Sequence, residues 1–231
     1  MIDALRYSFA CLASTVDYIH NTITKHMDIK PKNILMRNMD SSSRPHKRKW
    51  KPYIADFGIA RNYTSLAASE TDGPTMFTRK YAAPEVVDRQ SRGLSADIFS
   101  LGCVFLEIKT VITSYIDRDR GLSKLQSILE ENPLGDYSYS ANIDALRIHF
   151  GKSHDQAKSE VPPEHEQGVF VIWDMLEEDP LKRPSASALK KYLCKEECCP
   201  GEGEKDQLEV DKCLVDEQPV RRRKPNPQSN I

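Results

Sequence analysis

A chain of 231 residues is long enough for one domain with a real core plus a tail. With 39% apolar residues, 29% charged residues and a formal charge of −1, it reads as a soluble globular protein, with no global bias toward nucleic acid or an acidic membrane. The longest apolar run, residues 98–106, is broken by Ser100 and Gly102 and is far too short to span a bilayer; Asp3 and the lack of a basic lead argue against a secretory signal, so the six cysteines are expected as free thiols inside the cell, in cytoplasm or nucleus.

The first expected element is an amphipathic helix over 2–20, where Leu5, Phe9, Leu12, Val16 and Ile19 recur at steps of four and three. A loop from 26 runs into a short strand, 34–36, and a second short strand, 53–55, leads to Asp56, Phe57 and Gly58. Between them, residues 40–51 are polar and basic. Their HKRKWK stretch, 46–51, admits a nucleic-acid or localisation reading, and a solvated insertion is the simpler one. Residues 59–82 have no period and are expected to be long and flexible, with Ser65, Ser69, Thr71 and Thr75 as conceivable phosphorylation sites. Residues 95–110 form a helix that is apolar nearly all round, as a central buried helix is; Asp97 within it is either a solvent-facing accident or a bonded acid. Further helices are expected near 122–131, 165–177 and 185–194, the last capped by Ser185. From about residue 196 the composition is that of a disordered charged tail, in which residues 221–224 also admit a localisation reading. Cys194, Cys198 and Cys199 lack a second cluster at ligand spacing, so no zinc site is expected.

One group of residues carries chemistry. Asp28, Lys30 and Asn33 share a loop, and a hairpin of the two short strands brings Asn33 and Asp56 to the same end. An amide oxygen and a carboxylate are hard ligands suited to magnesium. Asp28 beside them would accept a hydroxyl proton, and Lys30 would offer positive charge to a transferring phosphoryl group.

At these residues the chain resembles the eukaryotic protein kinase family, in its C-terminal lobe. The catalytic-loop pattern H-R-D-x-x-x-x-N is matched by His26, Met27, Asp28 and Asn33; D-F-G by Asp56, Phe57 and Gly58; A-P-E by Ala83, Pro84 and Glu85, after Thr78. An acid in the buried helix, Asp97, and a late arginine, Arg183, complete five ordered motifs over residues 2–195. The resemblance implies a mainly α fold: a kinase-like C-lobe, a helical bundle around the buried central helix with a small β-hairpin, spanning 1–195 and followed by the tail 196–231. It implies ATP- and Mg²⁺-dependent phosphoryl transfer to serine or threonine of a protein substrate. Asp28 and Lys30 would be catalytic, Asn33 and Asp56 would hold metal, and Lys30, Asn33, Leu35 and Asp56 would touch the nucleotide. His26, Phe57, Thr78, Glu85, Asp97 and Arg183 would support them: His26 by packing, Thr78 by bridging Asp28 and Lys30, Asp97 by bonding the catalytic-loop backbone, and Glu85 and Arg183 as a buried ion pair. A metal-dependent nuclease would explain neither Thr78 to Glu85 nor Arg183.

The sequence also departs from the family. Met27 stands where most members carry an arginine that pairs with a phosphate on the activation segment, so regulation without that contact is expected. The 40–51 loop is long, and Phe77 replaces the usual glycine before the threonine, which implies a differently shaped substrate-facing loop. No glycine-rich loop or strand lysine precedes residue 26. The expectation is therefore either that an N-terminal lobe lies upstream of Met1, or that a C-lobe fragment exposes an apolar upper face around Leu35 and Phe57. Such a face would suit another kinase or a scaffold. Neither a membrane nor nucleic acid is expected as a partner.

Overall fold

The computed structural model of the chain describes residues 2–38, 50–70, 77–117, 121–150 and 167–194, all within one compact unit. Among these residues the fold is mainly helical, with two small antiparallel ladders. In chain order come α1 (Ile2–Asn21), β1 (Thr24–Lys25), β2 (Ile34–Asn38), β3 (Trp50–Ile54), β4 (Arg61–Asn62), α2 (Leu66–Ser69), α3 (Pro84–Val87), α4 (Ser95–Asp117), α5 (Gly121–Glu130), α6 (Ile143–Phe150), α7 (Gln167–Met175) and α8 (Ala186–Leu193).

The core forms around α4. Ile98, Phe99, Leu101, Val104, Phe105 and Leu106 cover most of its circumference, and each is at most 2% exposed. Burying side chains of this size contributes about 1.5–3 kcal/mol each. On α1, Phe9, Leu12, Val16 and Ile19 are buried as their spacing predicts, and the Phe9 ring meets Phe105 edge-on, with centroids 4.7 Å apart. α7 closes on α4 at Gly102, where an added Cβ would stand 3.0 Å from Met175 Cβ. α8 starts at Ser185, whose hydroxyl accepts the Ala188 N–H at 3.2 Å, and it lies along α1, with Lys190 Nζ 3.1 Å from Asp17. No described helix is long and apolar enough to cross a membrane.

Several expected boundaries are corrected. β2 runs to Asn38 and β3 begins at Trp50, so the hairpin is longer than strands over 34–36 and 53–55 would make it. α4 continues seven residues past 110, to Asp117. The segment 59–82 is not irregular throughout. β4 pairs with β1 in the register Thr24↔Asn62 and Lys25↔Arg61, and α2 and a 3₁₀ turn over Arg79–Tyr81 follow. α6 was not expected from the sequence. The basic residues 46–49 and 221–224, Thr71, Thr75, Cys198, Cys199 and the tail from 196 lie outside the described residues.

Candidate active site

The β2–β3 hairpin sets the site. Ile34 faces Ile54 in the ladder, and one step further the Ala55 N–H donates to the Asn33 carbonyl at 2.8 Å. Asn33 and Asp56 therefore leave the hairpin at the same end. Pro31 opens a 3₁₀ turn over Pro31–Asn33, where its fixed φ suits a helical start and its missing N–H costs nothing. Asn33 is buried at the end of this turn, and its Nδ2 donates to the Asp28 carbonyl at 2.9 Å and to Asp28 Oδ2 at 3.1 Å. With its nitrogen committed to Asp28, the amide keeps Oδ1 as its acceptor. Asp56 is exposed, has φ of 64°, and accepts the Gly58 N–H on Oδ1 at 3.3 Å. A left-handed backbone outside glycine costs on the order of 1–3 kcal/mol and collects at functional positions.

Asp28 is the hub. Lys30 Nζ donates to Oδ2 at 2.6 Å, Thr78 Oγ1 donates to Oδ1 at 2.6 Å, and Lys30 Nζ also reaches Thr78 Oγ1 at 2.8 Å. A closed triangle thus joins the 26–33 loop to a residue fifty positions on. Burial alone would raise the Asp28 pKa, but the Lys30 and Thr78 hydrogen bonds, the Lys30 charge and the Asn33 bond outweigh it and hold the carboxyl below its ordinary value.

Beneath the hub, Asp97 fastens the loop to α4. Its Oδ2 accepts the His26 N–H and its Oδ1 the Met27 N–H, both at 2.8 Å, while His20 Nε2 lies 3.1 Å from Oδ2. The acid is therefore bonded and buried, not solvent-facing, and these bonds hold its pKa down against the opposing effect of full burial. They also hold Met27 at φ 66°, a conformation a long side chain rarely takes. His26 is fully buried: its Nδ1 accepts the Asp28 N–H at 3.3 Å, which leaves the proton on Nε2, 3.1 Å from the Ala55 carbonyl. The Phe57 ring meets His26 edge-on, with centroids 4.7 Å apart. Leu35 and Phe57 remain 57% and 48% exposed at the upper face.

Glu85 and Arg183 form a forked pair. Nη1 and Nη2 reach Oε1 and Oε2 at 2.7 and 2.8 Å, and both side chains are buried. Arg183 also donates to the carbonyls of Glu177, Glu178 and Ser95 and lies over the Phe99 ring. The turn around Tyr81 is held by Ser100 Oγ donating to the Tyr81 carbonyl, and by Glu107 Oε1, which accepts the Tyr81 and Tyr139 hydroxyls at 2.9 and 2.7 Å. Burial first, then the Glu107 charge, pushes both phenol pKa values up.

The structure thus brings Asp28, Lys30, Asn33 and Thr78 into direct contact and sets Asp56 two residues past the end of the β2–β3 ladder. The sequence reading missed His20, Glu107 and Lys25. His20 had a signal, since it follows Val16 by four on the buried face of α1. Lys25 and Glu107 had none, because their partners come from distant segments.

The donors fit magnesium carried by a nucleotide better than a resident structural ion. They offer two oxygens, from Asn33 and Asp56, and among the described residues no group of three His, Cys, Asp or Glu side chains could hold a metal. Mg²⁺ usually takes one or two protein oxygens and completes its shell with phosphates and water.

The protein kinase domain model matches residues 2–193. Cyclin-dependent kinase 4 of Rattus norvegicus is 31% identical over 193 residues, which cover 81% of this chain and 58% of that protein. A protein kinase and PP2C-like domain-containing protein of Arabidopsis thaliana is 30% identical over 197 residues, with 76% and 26% covered. The serine/threonine-protein kinase nekl-2 of Caenorhabditis elegans is 26% identical over 155 residues, with 66% and 40% covered. The chain belongs to the protein kinase family. It spans 52–58% of the length of the cyclin-dependent kinase 4 relatives it matches.

Proposed function

We propose that the chain carries the C-terminal-lobe catalytic half, residues 1–195, of an ATP- and Mg²⁺-dependent protein serine/threonine kinase working in cytoplasm or nucleus. The observation that carries this reading is the closed contact of Lys30 and Thr78 with both oxygens of Asp28. Mg·ATP supplies the phosphoryl group and neutralises its oxygens, and Asn33 and Asp56 are the residues that would hold the metal.

Asp28 orients the substrate hydroxyl and takes its proton. With its pKa held low the carboxylate is ionised at neutral pH, and because it is a weak base the transfer becomes favourable only as the hydroxyl oxygen bonds to phosphorus. Lys30 offsets negative charge developing on the transferring group. Thr78 fixes the Asp28 carboxylate, and His26 fixes the loop backbone. Leu35 offers an apolar floor to the adenine.

The test is thermal unfolding of the chain with and without Mg·ATP, followed by phosphate transfer to serine and threonine peptides. A site filled at 100 times its dissociation constant gains about 2.7 kcal/mol. The absence of both a shift at millimolar Mg·ATP and phosphate transfer would refute the reading.

A second reading, a non-catalytic kinase-like binding module, is favoured by the exposure of Leu35 and Phe57, with Met36 40% exposed beside them. Its partner would be another kinase or a scaffold. Capture of such a partner by a chain that neither binds nor uses Mg·ATP would support it.

A further inference from the structure

We propose that Lys25 is the cation that holds residues 63–70 against the loop before α4, in the role that the kinase resemblance gives to an arginine–phosphate contact. This segment is thereby held in place without phosphorylation. The proposal rests on the kinase reading and adds how its activation segment is kept in place.

Lys25 is 1% exposed. Its Nζ donates to the Ser69 carbonyl at 2.6 Å and to the Arg92 carbonyl at 2.8 Å, and it stands 4.7 Å from the centre of the Tyr63 ring. One ammonium therefore ties two segments, near 69 and near 92, to β1. A buried ammonium is costly unless it is bonded; here two carbonyl oxygens and an aromatic face meet it, and the Glu70 and Asp97 carboxylates add favourable charge. Met27 lines the same cavity as Lys25, together with Asp28, Phe77, Thr78 and Arg92. The thioether that cannot meet a phosphate thus sits beside a lysine that meets backbone.

The same two segments touch twice more. Ser91 Oγ donates to Glu70 Oε2 at 3.3 Å, and the Glu70 carboxylate lies so close over Gly93 that an added Cβ there would stand 2.2 Å from Oε1. β4 and the Tyr63 N–H, bonded to the Ile23 carbonyl at 3.0 Å, attach the start of the segment to β1. Ser69 is 2% exposed and its hydroxyl donates to the Leu66 carbonyl at 2.6 Å. A phosphate on Ser69 would therefore have to break this arrangement rather than build it. The hydrogen bonds from Lys25 Nζ to Ser69 and Arg92 end on backbone carbonyls, and the carboxylates that act on its charge, Glu70 and Asp97, belong to the unmodified chain.

Hydrogen exchange on the full 231-residue chain tests this. In Lys25→Met the Ser69 and Glu70 amides should exchange about tenfold faster or more, while the amides of α4 keep their protection. The KM for a peptide substrate should rise while the Mg·ATP-induced shift stays. Lys25→Arg, which keeps the donors, should recover most of the protection. Phosphatase-treated wild-type protein should match untreated protein. Unchanged protection at 66–70 in Lys25→Met overturns the proposal, as does loss of protection after phosphatase. If Lys25→Met loosens the whole molecule, Tyr63→Leu decides: faster exchange confined to 66–70 supports the proposal, and none overturns it. Absence of any Mg·ATP shift in the wild type would strike the kinase reading and leave the exchange result standing.

Discussion

Replacing Arg183 by methionine removes the buried guanidinium and leaves the Glu85 carboxylate 3% exposed with no cation beside it. Breaking one side of a buried ion pair costs about 3–5 kcal/mol, because the remaining charge cannot reach water. The Glu177, Glu178 and Ser95 carbonyls lose a donor as well, which places the cost at the upper end. For a domain of this size each kcal/mol lowers Tm by about 2–4 °C, so at about 5 kcal/mol Arg183→Met should melt about 10–20 °C below wild type. Glu85→Met alone should cost a similar amount by stranding the guanidinium. The double variant strands neither, so a double-mutant cycle by urea unfolding should give coupling toward the top of the usual range of about 0.5–3 kcal/mol. Arg183→Lys should rescue only part, since one ammonium cannot make the fork. Single variants within about 1 kcal/mol of wild type, or strictly additive costs, would refute the reasoning.

Asp28→Asn should lower kcat about 10²–10⁴-fold while leaving the Mg·ATP thermal shift in place, and an unchanged kcat would remove Asp28 from the chemistry. Folding holds the Asp28 and Asp97 carboxyls below their ordinary values, so their contribution is complete above the unfolded pKa near 3.9 and is lost as pH falls through the lower folded values. Urea midpoints should therefore drop below about pH 4, and a profile flat from pH 5 to 3 would contradict the bonding described. Asp136, held at about 2 by Arg79, adds little to this slope because Arg79 is exposed and the pair is screened. Gly102→Ala should cost about 1–3 kcal/mol by driving a methyl into Met175 and Leu176, and a wild-type urea midpoint would mean that α7 does not rest on this glycine as described.

The long helices were legible because their faces are. The five spaced apolar residues of α1 and the nearly continuous apolar surface of α4 state burial in the local sequence. α6 escaped because only Leu146 of its eight residues is fully buried, too few to make a period. The order in 61–70 escaped for a different reason. It comes from β1, more than thirty residues earlier, and from one lysine whose partners are backbone carbonyls and leave no mark on side-chain pattern. The candidate site was readable as a set of residue types because ordered motifs fix which segments converge. Its bonding was readable only where two motif residues touch, as in Lys30–Asp28 and Glu85–Arg183. Asp97 was recognisable as an acid out of place among apolar neighbours. Glu107, on the same helix, looked like any surface glutamate until Tyr81 and Tyr139 were seen to close over it.

α4 also acts as a gauge of length. Asp97 carries the 26–33 loop, Ser100 the Tyr81 backbone and Glu107 the Tyr81 hydroxyl, all from one side of a single rigid rod. Each added residue turns a helix by about 100° and advances it about 1.5 Å. One residue inserted between Ser100 and Glu107 would swing the carboxylate away from both phenols while leaving Asp97 in place, and the turn around Tyr81 would keep its backbone anchor and lose its side-chain one.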